Sequence, residues 1–234
     1  MSSTAPRPPL YPILLSLRGR HCLVAGLGEV GQRKLAGLLA CDPASVLALD
    51  AARPENLAAG AAALIKDPRV VFACRACSRA DVRGRALVFA ATGNAEENAR
   101  IAALCREAGV LCNCASAPDL GAFSVPAVAR RGGLSATLST GGASPALARR
   151  WRHELEDWLA PRARMVRLMA RLRPLVLALH AETGQNTRLF RALAASPLQT
   201  WLAEGDLESC RQCLLAELPP VLHVHIAELL DDLA

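Results

Sequence analysis

The chain has 234 residues, enough for one compact unit or two small domains, and it is 52% hydrophobic but only 3% aromatic, so alanine, leucine and valine must build its core. No run of about 18 uncharged apolar residues occurs, and the proline-rich start lacks the apolar centre of a signal peptide, so we expect a cytoplasmic protein without a membrane span. The net charge is +6, and the positive side chains are 25 arginines and two lysines. A basic chain of this kind is compatible with anionic ligands.

The first informative segment is HCLVAGLGEVG at residues 21–31, where an apolar run leads into a G-x-G-x-x-G pattern at Gly26, Gly28 and Gly31. The first glycine permits a tight turn out of a strand, the second lets backbone approach a pyrophosphate, and the third lets the next helix pack closely. Together with Glu29 and Val30, these glycines are the predicted pyrophosphate-binding residues. A glycine-rich turn in some other α/β protein is the alternative.

A predicted strand at residues 45–50 ends in Asp50, about 20 residues beyond the last glycine. A carboxylate at that place accepts hydrogen bonds from the adenosine ribose hydroxyls and repels a 2′-phosphate. Asp50, with Ala51 beside it, therefore predicts NAD in preference to NADP. Arg53 follows closely and would soften that preference.

Strands and helices then alternate in the way that predicts a Rossmann-type, doubly wound parallel sheet with its ligand at the carboxyl edge. The predicted strands are residues 22–25, 45–50, 70–73, 85–91 and 110–113, and the predicted helices are residues 32–40, 55–65 and 95–108. Gly109 closes the last of these helices.

The pattern changes in the second half of the chain. Strands at 121–129 and 134–140, joined by a hairpin-like turn at 130–133, form a two-stranded unit that is marginal alone, so we expect it to pair with another chain. A helix capped by Ser144, a second helix that Pro161 opens and Pro174 kinks or breaks, and short helices from Asn186 follow. We divide the chain into a dinucleotide-binding domain at 1–118, a dimerisation segment at 119–145 and a helical module at 146–234.

Ten arginines fall between Arg130 and Arg173, against three acidic residues. A solvated helix face is the simpler interpretation, and recognition of a polyanion is the functional one. Because aromatic residues that would stack on bases are nearly absent there, a small molecule with several carboxylates fits forked guanidinium donors better than nucleic acid does.

The nine cysteines are an odd number in a chain too long for a small disulfide-stapled domain, and we interpret Cys22 and Cys105 as core residues. Three close pairs occur: Cys74 with Cys77, Cys112 with Cys114, and Cys210 with Cys213. The last pair precedes two histidines, His223 and His225, as in some metal sites. However, a helix that begins after an N-cap at Asp206 would place it on one apolar face, so we predict a structural role and no metal site.

Several landmarks, taken in order, resemble one family. They are YPILLSL at 11–17, GLGEVGQRK at 26–34, AAT at 90–92, CN at 112–113, AP at 117–118, FSVP at 123–126 and STGGASPALAR at 139–149. Together they resemble the precorrin-2 dehydrogenase/sirohydrochlorin ferrochelatase family, which includes the N-terminal half of bifunctional siroheme synthases. The resemblance covers residues 12–159, and because no methyltransferase half follows, it is to the stand-alone form.

The resemblance implies NAD-dependent oxidation of precorrin-2 to sirohydrochlorin and, in some members, insertion of ferrous iron or cobalt. It also implies a homodimer, with neither nucleic acid nor membrane as partner. Thr92 and Asn113, at the ends of later strands, would line the nicotinamide side. The implied tetrapyrrole-binding residues are Ser139, Thr140, Gly141, Gly142, Ser144 and Arg149.

One position departs from the family pattern. Family members usually carry an aspartate, the proposed acid/base, where this chain has Ser116, between Asn113 and the Ala117–Pro118 pair. A serine hydroxyl does not accept a proton near neutral pH without a partner base. Ser116 and the nearby Asp119 are therefore the catalytic candidates, and chelation is the activity that loses most from the missing carboxylate.

Three functions follow from these observations. The first is an NAD-dependent precorrin-2 dehydrogenase, which also inserts iron if the chelatase activity is retained. The second is a non-catalytic carrier or regulator that binds NAD or a tetrapyrrole and has lost the family's aspartate. The third is a chelatase without redox chemistry, which the cysteines and histidines support only weakly.

Overall fold

The computed structural model describes residues 10–179 and 183–233, and the chain divides after Val125 into two compact units. The first unit contains the glycine-rich motif, and the second begins at Pro126 and contains the hairpin and the helical tail. The three-part division with boundaries at residues 118 and 145 stays a prediction.

The first unit is built on five parallel strands in the order β3-β2-β1-β4-β5, which confirms the predicted doubly wound sheet. The strands are β1 (His21–Ala25), β2 (Ser45–Asp50), β3 (Val70–Cys74), β4 (Leu87–Ala90) and β5 (Leu111–Cys114). The helices are α1 (Glu29–Leu39), α2 (Ala59–Leu64), α3 (Arg79–Val82) and α4 (Ala95–Glu107). Strand order reverses at β1, between β2 and β4, and this switch point is where open α/β sheets bind ligands.

Alternate residues of each strand face opposite layers of helices. On β1, Cys22 and Val24 pack in the core cluster that includes α1, whereas Leu23 and Ala25 pack in the cluster that includes α4. Because helices cover both faces, the central strands are apolar at nearly every position, and this continuous apolar pattern made them predictable.

The predicted helix at 55–65 is interrupted. A 3-10 turn at Pro54–Asn56 leads into extended backbone, and α2 covers only Ala59–Leu64. Ala61 is fully buried, whereas Leu57, Leu64 and Ile65 pack against the core only in part, so the apolar face that would hold one long helix is incomplete.

The second unit begins with an antiparallel hairpin and continues as helices. The hairpin strands are β6 (Ala127–Arg131) and β7 (Leu134–Leu138), and the helices are α5 (Pro145–Leu159), α6 (Ala163–Leu177), α7 (Thr183–Ala195), α8 (Leu198–Glu204), α9 (Leu207–Glu217) and α10 (Ile226–Leu230). A leucine-rich cluster from α6 to the end of the described chain forms a core of its own. No helix in the described ranges is long and apolar enough to cross a membrane.

The hairpin turn is tighter than predicted. Arg131 pairs with Leu134, so the turn has two residues instead of the four at 130–133. Gly132, its first residue, has φ +53°, the left-handed conformation that two-residue hairpin turns require. The first strand starts after Pro126 and not at 121, since proline has no N–H to donate to a ladder.

Helix α6 continues through Pro174 to Leu177, so of the predicted kink or break at Pro174 the break does not occur. Proline costs a helix most in its interior, but Pro174 lies in the last turn. Leu168, Leu172 and Val176 are all buried in the helical core and hold the helix on both sides of the proline.

A buried carboxylate fixes the connection between β3 and α3. Asp81 accepts two hydrogen bonds from the Arg75 guanidinium, at 2.6 and 2.8 Å, and two more from the hydroxyl and backbone N–H of Ser78. These donors, the guanidinium first, hold the pKa of Asp81 well below its usual range.

We expect Asp81→Asn to lower the free energy of unfolding at pH 7 by about 2 kcal/mol, since it keeps the shape of the side chain and removes its charge. A depressed folded-state pKa stabilises above about pH 4 and is lost as the pH falls further. Urea unfolding from pH 7 to pH 3 should therefore lose part of this component in the wild type and show no such loss in the variant. Glu107→Gln, which removes an exposed partner of Arg79, is the control and should change little. Equal losses in the two variants would contradict the assignment.

Candidate functional site

The glycine-rich turn packs directly against the end of β4. Gly26 has φ +91°, and a Cβ there would lie 2.4 Å from the carbonyl oxygen of Ala91 and 2.6 Å from the Cα of Thr92. A Cβ on Gly31 would lie 1.8 Å from the carbonyl oxygen of Gly26. Both positions therefore exclude any side chain, and the first turn of α1 closes onto the end of β1.

Gly28 differs from its two neighbours in the motif. A Cβ there would meet nothing within 4 Å, and φ is −63°, so neither packing nor backbone conformation requires glycine. Gly28 is the N-cap of α1 and supplies no side-chain cap, and Glu29 and Val30 after it are exposed. The first N–H groups of α1 thus face open space that a side chain at this position would occupy, as a pyrophosphate-binding turn requires.

Asp50 links the end of β2 to this turn. Its Oδ2 accepts a hydrogen bond of 2.6 Å from the N–H of Leu27, and its Oδ1 accepts one of 2.8 Å from the N–H of Ala52. The carboxylate is half-buried, and each oxygen keeps acceptor capacity for a further donor. Ala51 and Arg53 beside it are exposed. A carboxylate is therefore fixed next to the glycine-rich turn, on the β2 side of the switch point.

A polar network joins the ends of β4 and β5. Asn98 of α4 is fully buried, and its Oδ1 accepts hydrogen bonds from the backbone N–H of Thr92 at 2.9 Å and from the Thr92 hydroxyl at 2.7 Å. Its Nδ2 donates to the carbonyl oxygen of Thr92 at 3.1 Å and to the Ser116 hydroxyl at 3.2 Å. Thr92 also lies against Gly26, so the network is continuous with the glycine-rich turn.

Sequence reasoning missed Asn98. The signal was present, because residues 98, 101, 102 and 105 form the buried face of α4 and Asn98 is the polar member of that set. A polar residue on an apolar helix face must find buried partners, and the strand ends beneath α4 supply them.

The two remaining predicted residues of this unit differ in their surroundings. Asn113 donates from Nδ2 to the carbonyl oxygen of Phe123 at 2.9 Å, which ties the end of β5 to the loop that follows. Asp119 lies in an exposed 3-10 turn at Pro118–Leu120. The role of Asn113 visible in the described residues is therefore structural, and Ser116 is the catalytic candidate that the polar network holds.

The predicted tetrapyrrole-binding residues lie in the second unit, in the turn between β7 and α5. Ser139 Oγ accepts from the N–H of Gly141, and Thr140 Oγ1 accepts from the N–H of Ser144. Ser144 caps α5 by accepting a hydrogen bond from the N–H of Leu147, as predicted. Gly141 and Gly142 both have positive φ, at 62° and 88°, and Arg149 is exposed on α5.

Most of the arginine cluster has partners inside its own unit. Two arginines form ion pairs with glutamates on α5, namely Arg150 and Arg152. Two others lie over aromatic rings, Arg162 over Trp158 and Arg173 over Phe190. Three more donate hydrogen bonds to backbone carbonyl groups near the ends of α8 and α10: Arg164, Arg167 and Arg171. Arg131 and Arg149 have no such partner in the described part of the chain. These two guanidinium groups are the members of the cluster best placed to receive an external carboxylate.

The cysteines are mainly core residues. Cys22, Cys105 and Cys210 are fully buried, as predicted, and Asp206 caps α9 before the last pair. Burial raises the pKa of the Cys77 and Cys210 thiols to about 11, which leaves them protonated and unreactive. The described residues contain no group of three or more potential metal ligands.

The comparisons with known proteins agree with this geometry. A family model described as "Putative NAD(P)-binding" matches residues 13–127. The siroheme synthase of Thioalkalivibrio sulfidiphilus is 30% identical over 87% of this chain and 41% of its own length, and that of Methylococcus capsulatus is 33% identical over 87% of this chain and 42% of its own. This chain is therefore similar to siroheme synthases along most of its own length, and residues 13–127 match an NAD(P)-binding family. It spans less than half of the length of these two relatives.

A solved structure has the same fold as this chain. The protein described as "SirC, precorrin-2 dehydrogenase" superposes with a TM-score of 0.68 at 21% identity, over 87% of this chain and 98% of that one. The match therefore covers more residues than the parallel-sheet unit contains. The glycine-rich turn and Asp50 lie inside residues 13–127, where the nucleotide-binding model matches.

The open space over Gly28 generates a test of the dinucleotide site. We expect Gly28→Ala to weaken NAD binding at least tenfold with little change in melting temperature, because the new methyl group meets ligand and not protein. Gly37→Ala, in the same helix and also without a close neighbour, is the matched control and should leave binding unchanged while stabilising the helix. Titration calorimetry and thermal unfolding measure the two effects. Equal NAD affinity in the wild type and Gly28→Ala would contradict the site.

Proposed function

We propose that this chain is an NAD-dependent precorrin-2 dehydrogenase that produces sirohydrochlorin. The observation that carries the proposal is the pairing of an open, uncapped helix N-terminus at Gly28 with the fixed carboxylate of Asp50 at the switch point of the sheet. The relatives named siroheme synthase and the solved dehydrogenase support the tetrapyrrole substrate.

The residues present fit NAD in particular. The N–H groups after Gly28 suit the pyrophosphate, and the remaining acceptor capacity of Asp50 suits the two hydroxyls of the adenosine ribose. A 2′-phosphate would meet the Asp50 charge, which favours NAD over NADP even with Arg53 nearby. When bound, the nicotinamide supplies the hydride acceptor.

The substrate loses two hydrogens, one as a hydride to the nicotinamide and one as a proton to solvent or a base. We assign the carboxylates of the substrate to the turn at Ser139–Ser144 and to Arg149, which faces solvent with its guanidinium unpaired in the described residues. Forked guanidinium donors bind carboxylates in bidentate fashion, and a tetrapyrrole offers several.

Iron insertion is a separate part of the proposal. Metal insertion into a tetrapyrrole requires pyrrole nitrogens to lose protons, and the Ser116 hydroxyl is not a base at neutral pH. We therefore propose that dehydrogenation is the main activity and that chelation of ferrous iron or cobalt is weak. The non-catalytic carrier is the competing function, and the absent carboxylate is the observation that favours it.

We further propose that the chain forms a homodimer through its second unit and works in the cytoplasm. A two-stranded hairpin is marginally stable alone, and Leu147, Trp151 and Trp158 of α5 are 41%, 38% and 54% exposed. Apolar surface of this kind suits a second copy of the chain. A monomeric mass at micromolar concentration in sedimentation equilibrium would exclude the dimer.

The decisive assay supplies precorrin-2 and NAD under anaerobic conditions and follows both NADH and the sirohydrochlorin spectrum. We expect the two products in equal amounts. Ferrous iron is then added to sirohydrochlorin with the wild type and with Ser116→Asp, and only the variant should accelerate insertion markedly. NAD binding without turnover would support the carrier and overturn the dehydrogenase, and rapid iron insertion by the wild type would overturn the assignment for Ser116.

A further inference from the structure

Asn98 has one possible orientation, because the backbone of Thr92 fixes it. The Thr92 N–H can only donate, so the atom that faces it at 2.9 Å is Oδ1, and the Thr92 carbonyl oxygen can only accept, so the atom that faces it at 3.1 Å is Nδ2. A flipped amide would set oxygen against oxygen and N–H against N–H in a fully buried place. Backbone groups therefore set the direction of the whole network.

This direction decides what Ser116 does with its proton. Nδ2 of Asn98 has two protons, of which one goes to the Thr92 carbonyl oxygen and the other to Ser116 Oγ. Ser116 Oγ therefore accepts, and its own proton is left to donate. In the described residues its other hydrogen-bonding contact is Cys114 Sγ at 3.9 Å, a weak partner. Ser116 is exposed, so the hydroxyl proton can turn to a ligand.

We propose that Asn98 is a positioning residue that holds Ser116 as a hydrogen-bond donor to an oxygen atom of the bound ligand. The inference rests on the proposed function and deepens it. A carboxylate at position 116 would accept a hydrogen bond at neutral pH, whereas the serine held by Asn98 donates one. The oxygen belongs either to the carboxamide of the nicotinamide or to a carboxylate of the substrate.

Ser116 therefore transfers no proton during dehydrogenation. The hydride leaves the substrate for the nicotinamide, the accompanying proton goes to solvent, and the O–H bond of Ser116 stays intact throughout. Consequently the pH profile of kcat/KM should contain no ionisation that Ser116→Ala removes.

The test reverses the network with Asn98→Asp. The carboxylate keeps the shape of the amide and still accepts from the Thr92 N–H and hydroxyl. It cannot donate to Ser116, whose proton then turns inward, and its second oxygen also faces the Thr92 carbonyl oxygen, so the melting temperature of this variant is measured beside its kinetics. We expect Ser116→Ala to lower kcat/KM about tenfold in the wild type and to have almost no effect in the Asn98→Asp background. The affected KM, for NAD or for precorrin-2, identifies which molecule carries the oxygen atom.

Two measurements do not depend on turnover. Titration calorimetry gives the dissociation constant of NAD for the wild type, both single variants and the double variant, and NMR follows the side-chain amide protons of Asn98 without any ligand. Loss of the acceptor in Ser116→Ala should shift one of these protons and leave its partner, bonded to Thr92, nearly unchanged.

Asn94→Ala is the control for stability. Asn94 caps α4 through its side chain, and the variant should lower the melting temperature without changing the pH profile or the effect of Ser116→Ala. If Asn98 acted through folding alone, this control and Asn98→Asp would behave alike.

Failure of the inference and failure of the proposed function are distinguishable. If the wild type does not turn over precorrin-2, the proposed dehydrogenase function is overturned. The NMR measurement still decides the direction of the Asn98–Ser116 hydrogen bond. Independent, multiplying effects of the two variants on kcat/KM, or an unchanged Asn98 signal in Ser116→Ala, would overturn the inference.

Discussion

The contact between the glycine-rich turn and the end of β4 is the constraint on which the rest of the site depends. Gly26 approaches the backbone at Ala91 and Thr92 so closely that no side chain fits, and Gly31 closes the first turn of α1 onto Gly26 in the same way. The helix N-terminus is thereby held at the switch point of the sheet. Gly28 lies between them with open space over it, so the two buried glycines build the turn and the exposed one leaves room for a ligand.

Two polar side chains flank this turn, and each accepts hydrogen bonds from backbone N–H groups at the strand ends. Asp50 on the β2 side accepts from the N–H of Leu27 within the turn, and Asn98 on the β4 side bonds to Thr92, which packs on Gly26. Hydrogen bonds to a charged acceptor contribute about 1.5–3 kcal/mol each, so Asp50 stabilises the turn, and the same carboxylate is the one that we propose binds the ribose. The side chains that we propose for ligand recognition are therefore ones that also stabilise the fold.

Sequence patterns predicted the structure best where a residue type at a given position allows a single structural interpretation. A buried parallel strand gives a continuous apolar run, the spaced glycines mark the turn, and Asp50 marks the end of β2, so sheet, helix and candidate nucleotide residues could all be placed. The family resemblance came from ordered landmarks of this kind. Ser144 and Asp206 as helix caps were equally local predictions.

Predictions were wrong or incomplete where tertiary contacts decide. The helix at 55–65 was interrupted because little of it is buried, and α6 passed through Pro174 because its apolar face is anchored. Arginine composition indicated anion binding, but most of these side chains cap helix ends or pair with glutamates. The spacing along α4 marks Asn98 as a polar residue on a buried face, but which strand ends lie beneath that face is decided by tertiary packing, so its partners were not predictable.

The central claim is that the carboxyl edge of the sheet at β1 and β2 binds NAD. A crystal structure of the protein with NAD tests it most directly. The account predicts the pyrophosphate at the N–H groups that follow Gly28 and the adenosine ribose hydroxyls within hydrogen-bond distance of Asp50. A dinucleotide bound elsewhere, or bound here with its ribose away from Asp50, would contradict the account.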